Sequence, residues 1–193
     1  MVSLAREFCV KILKKSRCKG LPFHDVWHTL DVYEKVNKIG KYYALDQKIM
    51  EPLLIAALFH DTGMSEVFEG HEDVSSLLAL NFLQSEKYPK TKIDKVLKYI
   101  NATKMPQNPN SELEAILCDA DLFHLSSDLF FKRNQLLRKE WKKHLGLSYT
   151  DGEWRELNIK FLQQHTYHTS YGATILEKGK QRNIEKLFTI NCK

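Results

Sequence analysis

The sequence contains no Cys-x-x-Cys pair. Its four cysteines, Cys9, Cys18, Cys118 and Cys192, are scattered, so neither a zinc ribbon nor thioredoxin-like dithiol chemistry has support, and the thiols read as reduced core or incidental residues. Long hydrophobic runs are missing too: the longest, Leu53 to Phe59, is far too short to span a bilayer. No stretch alternates apolar and polar residues as a half-buried strand does. No repeat, low-complexity tract or long linker marks a second domain. Nor is charge of one sign concentrated, since the net +5 is modest and spread over many lysines. A nucleic-acid binder would carry a sharper basic stripe, so that class is not indicated.

What is present is an ordinary globular balance, 43% hydrophobic and 27% charged over 193 residues, enough to bury a sizeable core without disulfide or metal staples. A metal site in such a chain is expected to serve chemistry rather than folding. The N-terminal stretch MVSLAREFCVKILKKSRCKG places Leu4, Phe8, Ile12 and Leu13 between charges. It reads as an amphipathic helix rather than a signal peptide, and a cytoplasmic protein without membrane association is expected.

Nearly every later segment has a helical period. The segment 25–44 carries Val26, Leu30, Tyr33, Val36 and Tyr43 on one stripe. The run LLIAALFHDTG follows Pro52, placed as if in a first turn, and stops at Gly63; apolar nearly all round, it is predicted to be the buried central helix. Further helices are predicted over 71–86, 91–101, 127–145 and 172–188. Capping boxes at Ser111/Glu114 and Thr150/Glu153 start two more. The fold class is therefore all-α, a compact bundle of about eight helices in a single domain over 1–193, with a core at about 20–130 and C-terminal helices 127–188 packing on it.

Against this apolar background a few polar residues stand out. His60 and Asp61 end the most apolar helix, and His28, Asp119 and Asp121 lie on other predicted helices. A buried imidazole beside a buried carboxylate is costly unless something satisfies both, and a cation would. Two imidazoles and two carboxylates form a mixed nitrogen and oxygen set suited to Mn, Fe, Zn, Ni or Mg rather than to a thiolate-bound structural zinc.

The order His28, His60-Asp61, Asp121, with the His-Asp pair closing an apolar helix, resembles the HD superfamily of metal-dependent phosphohydrolases over roughly residues 20–130. The resemblance implies that His28, His60, Asp61 and Asp121 are metal ligands, with Asp121 preferred to Asp119 because the family's last ligand follows an alanine and precedes an apolar residue, as in DADLF. FHDVWH is similar to the Tyr-His-Asn-x-x-His element of cyclic-nucleotide phosphodiesterases, with Phe23 and Asp25 replacing tyrosine and asparagine. This makes His24 a candidate general acid, the alternative being a surface histidine before a helix, and Asp61 a residue that orients water or bridges metals. His24 and His28, four apart, are expected on one helix face.

His71 stands where two-metal members of the family place a further ligand, but Asn101 and Thr103 occupy the positions of the imidazoles that would complete such a site. One tightly held ion is expected, with His71 and Glu72 lining the pocket or forming a weak second site. Lys104, His124, Arg138, Lys142, His165 and His168 are candidate phosphate or base contacts, each equally readable as an ordinary surface or core-edge residue. Trp141, Trp154, Phe161 and Tyr167 are expected to pack the late helices. The implied activity is hydrolysis of a phosphate monoester or phosphodiester, of a nucleotide above all, with a divalent ion as cofactor. The competing class is an inactive module that binds a nucleotide or a protein partner.

Overall fold

A computed structural model describes residues 1–15 and 17–189; Cys192 lies outside the described residues, and Cys9, Cys18 and Cys118 are buried. The described residues form nine α-helices joined by turns and short 3-10 or π segments, with no strand among them. Contacts group the chain into two units, Met1–Asp121 and the residues from Leu122 onward. The first holds α1 (Val2–Lys15), α2 (Val26–Tyr42), α3 (Gln47–Phe59), α4 (His71–Ser85), α5 (Lys90–Ala102) and α6 (Glu112–Asp121). The second holds α7 (Phe130–Leu145), α8 (Asp151–Gln164) and α9 (Glu177–Thr189).

α3 is the axis of the first unit and packs against α1, α2, α4, α5 and α6. Every residue from Pro52 to Phe59 is buried, as a helix apolar on all sides requires. Its start differs from the expectation. Asp46 caps it, accepting a hydrogen bond from Ile49 N–H at 2.8 Å, so Pro52 lies in the second turn rather than the first. The proline cannot donate to the carbonyl four residues earlier, but that carbonyl belongs to exposed Lys48, where water can take the place of the missing donor.

The helix also ends earlier than Gly63. Its last residue is Phe59, and Gly63 falls in a separate 3-10 turn, Thr62–Ser65. Glycine is needed there for space rather than as a helix stop: a Cβ at position 63 would sit 1.9 Å from the carbonyl oxygen of His71. Gly63 N–H donates to Ser75 Oγ at 2.8 Å, which holds the first turns of α4 against this point.

In α2 the buried face is His28, Thr29, Val32, Val36, Ile39 and Gly40, rotated from the stripe expected through Leu30 and Tyr33. Hydropathy places histidine and threonine outside, whereas His28 is turned inward by the carboxylates it faces. α1 is rotated in the same way: Ala5, Cys9 and Leu13 are buried and Leu4 is exposed, because small residues permit a closer approach to α3. Asp25 caps α2 by accepting the N–H of His28 at 2.9 Å. Asp25→Ala is expected to cost about 1 kcal/mol in chemical denaturation and to loosen the turn that carries His28.

In the second unit, Leu125, Phe130, Leu162, Ile184 and Leu187 form the core. Thr150 and Glu153 make the expected capping box at the start of α8. Trp154 and Tyr167 are buried, and Trp154 Nε1 donates to Asn134 Oδ1 at 2.5 Å. The helix expected over 172–188 opens with a π turn, Gly172–Leu176, before α9. Gly179 lies tight against the Ser126 carbonyl, where a Cβ would come within 2.2 Å.

Candidate metal centre

Three elements of the first unit deliver side chains to one point. His28 comes from the first turn of α2, and His60 and Asp61 from the C-terminal end of α3. Asp121 is the last residue of α6, which packs on α2. Two helix C-termini, with their partial negative charge, therefore end here, a field that favours a cation.

His28 Nε2 lies 3.2 Å from Asp61 Oδ2 and 3.2 Å from Asp121 Oδ1. His60 Nε2 lies 3.2 and 3.5 Å from the same two oxygens. His28, His60 and Asp121 can each offer one ligand atom, all within 4.8 Å of one another. His60 is wholly buried, and Asp61 nearly so.

These atoms converge on a point rather than pair with one another. Although 3.2 Å apart, His60 Nε2 and Asp61 Oδ2 are both buried and neither has a hydrogen-bond partner among the described residues. The other ring nitrogen of His60 lies 2.8 Å from Ala57 O, and only an N–H can serve that carbonyl, so Nδ1 carries the proton in the neutral ring. Nε2 then presents a lone pair toward carboxylate oxygens. Lone pair against carboxylate is repulsive, and either a proton or a divalent cation resolves it. The donor set thus fits a metal with nitrogen and oxygen preference.

In the metal-free protein the proton serves. Burial alone would lower His60, but the charges of Asp61 and Asp121 raise it well above the ordinary range, and His28 is raised despite its burial by the same two carboxylates. Burial would raise Asp61 and Asp121; the facing imidazoles hold both low instead. His71, whose burial is opposed by Asp61 and then Glu72, moves from an ordinary 6.5 up to about 9.

The sign of the pH effect follows. A raised histidine contributes stability that is complete below its unfolded pKa and lost as pH rises through its folded one. Chelator-treated protein is therefore expected to lose thermal stability between pH 6.5 and about 9, while metal-loaded protein holds it, because the ion replaces the protons. Melting curves with and without chelator across this range check it.

His71 opens α4, with Nδ1 at 2.9 Å from Phe68 O and Nε2 at 3.3 Å from Asp61 Oδ1 and 3.6 Å from Glu72 Oε1. The two oxygens of Asp61 thus face different imidazoles, and His71 and Glu72 stand beside the central cluster. His24 is not on the helix face expected for it, since it precedes the Asp25 cap. Its ring nonetheless stacks edge-on to His28 at 5.7 Å and lies 6.3 Å from His71. Asn101 and Thr103 belong to the end of α5, where Asn101 donates to Leu97 O and Thr103 to Ile100 O. Lys104 pairs with Asp73 at 2.6 Å at the surface. Asp119, two residues earlier in α6, is fully buried, and it is Asp121 whose carboxylate faces the imidazoles.

The remaining candidates belong to the second unit. His124 lies in the turn Leu122–Ser126, and Arg138 is held by Asp151 at 2.6 Å and by the Tyr149 carbonyl. His165, pushed down to about 4 by burial and then by Lys180 and His168, stays a neutral ring. One residue that the sequence did not single out touches the centre. Gln107, in the loop between α5 and α6, donates from Nε2 to Asp121 Oδ2 at 3.2 Å. Nothing in the polar, proline-bearing stretch NATKMPQNPN distinguishes it from its neighbours.

The family model described as HD domain matches residues 26–126, a little over half of the chain. No curated protein and no solved structure matches it.

Proposed function

The chain belongs to the HD-domain family, and from that premise we propose that it is a metal-dependent phosphohydrolase acting on a phosphate monoester or phosphodiester, of a nucleotide in the first instance. The observation that carries the reading is the convergence of His28, His60, Asp61 and Asp121 on one buried point with His60 Nε2 and Asp61 Oδ2 left unpartnered. A divalent ion bound there supplies Lewis acidity, lowering the pKa of a water and neutralising charge on phosphoryl oxygens.

The protein's own groups then have assigned work. His28, His60 and Asp121 hold the ion. Asp61 joins them through Oδ2 and is steadied by His71 at its other oxygen. His24, beside both His28 and His71, delivers a proton to the leaving oxygen as the phosphorus–oxygen bond breaks. His71 and Glu72 line the pocket. No helix among the described residues is long and apolar enough to cross a membrane, and a cytoplasmic site of action is part of the same proposal.

The test is to incubate metal-loaded protein with mono-, di-, tri- and cyclic nucleotides and follow product release. Turnover with one class supports the reading. Retention of a nucleotide without turnover under any divalent metal points to a binding module instead.

A further inference from the structure

Asp121 has two differently occupied oxygens. Oδ1 faces His28 and His60, and Oδ2 accepts the amide N–H of Gln107 at 3.2 Å. Oδ2 is a carboxylate oxygen and accepts, and Gln107 Nε2 is the donor in that contact. That fixes which way the amide points, since the flipped form would set oxygen against oxygen. The other end of Gln107, Oε1, is buried and has no hydrogen-bond partner among the described residues. With amide C=O and C–N bonds of about 1.2 and 1.3 Å, Oε1 lies within about 6 Å of Asp121 Oδ2. A buried carbonyl oxygen without a donor is costly, and an O–H or N–H supplied by an occupant of the centre would satisfy it.

Building on the hydrolase reading, we infer that Gln107 is a two-ended positioning residue: Nε2 locks Asp121 so that Oδ1 is presented to the ion, and Oε1 accepts a hydrogen bond from the attacking water and aims its lone pair at phosphorus. An amide carbonyl cannot take up the proton of that water, so its contribution is orientation rather than base catalysis. The loop after α5 thereby becomes part of the centre, although none of its residues is a metal ligand.

The test uses Gln107→Met, of similar length without polar atoms, and Gln107→Ala, with melting temperature as the check on folding. Mn2+ affinity of the metal-free protein is measured first, by calorimetry. Both variants are expected to bind roughly 10–100-fold more weakly than wild type; unchanged affinity in a folded variant overturns the Asp121 half. Hydrolysis of p-nitrophenyl phosphate and bis(p-nitrophenyl) phosphate is then measured at saturating Mn2+. A fall in kcat of about 10–100-fold with KM nearly unchanged is expected, and unchanged kcat overturns the water-orienting half. If wild type cleaves neither ester and none of the mono-, di-, tri- and cyclic nucleotides, the hydrolase reading fails and the water-orienting half with it, while the affinities still decide the other half.

Discussion

Asp61→Asn is expected to remove metal-dependent hydrolysis by at least on the order of 10^3-fold, the upper end for loss of a single electrostatic group in an active site. The side chain keeps its shape, but it no longer carries charge at the point where His28 and His60 both approach Oδ2 at 3.2 Å. It also loses the second oxygen that faces His71 at 3.3 Å. A neutral amide offers at best one weak ligand atom, and its NH2 would be directed at imidazole nitrogens or at the ion. His60→Ala is expected to be equally inactive but less stable, because it also empties a wholly buried site and frees the Ala57 carbonyl that the ring holds. Turnover measured beside the melting temperature separates the two effects. Undiminished hydrolysis in both variants would remove the basis for the proposed activity.

The second large effect is expected at a residue that offers no ligand atom. In Gly63→Ala the new Cβ would lie 1.9 Å from the His71 carbonyl oxygen and 2.8 Å from the Ser75 nitrogen. Both are backbone atoms of a helix, so no flexible side-chain end can move aside. Overpacking commonly costs 1–3 kcal/mol, and a collision with backbone places this one at about 3 kcal/mol or more. For a chain of this size that is a fall in melting temperature of about 6–12 °C. Relief by displacing the first turn of α4 would carry His71 and Glu72 away from Asp61, so metal affinity is expected to fall as well. Gly70→Ala is the control: Gly70 has φ +72° with nothing within 4 Å of an added Cβ, so only conformational strain of about 1 kcal/mol is expected. A Gly63→Ala protein that melts like wild type would show that α4 is not fixed by this contact.

The sequence exposed the helices because their polar and apolar residues are spaced for one buried face; it exposed His60 and Asp61 because they close the most apolar run, and His28 and Asp121 because of the order in which they accompany that pair. The same periodicity misled where burial follows charge rather than hydropathy. His28 and Thr29 turn inward in α2, and no hydropathy pattern anticipates a histidine held by carboxylates from α3 and α6. Gly63 resembled a helix stop because its contact partner, His71, lies on another element. Pro52 resembled a first-turn residue because the true cap, Asp46, precedes it by more than a turn. Gln107 was invisible for a different reason. Its role comes from the path of an irregular loop, and such a path leaves no period to read.

The central claim is that the convergent histidines and carboxylates hold a divalent cation. Its most direct test is elemental analysis of the purified protein and of His28→Ala, each incubated with Mn, Fe, Zn, Ni or Mg and then dialysed. Stoichiometric retention of at least one of these metals by the wild type, and its loss in the variant, is the expected result. A wild type that retains none of them, or a variant that retains as much as the wild type, would contradict the assignment of the site.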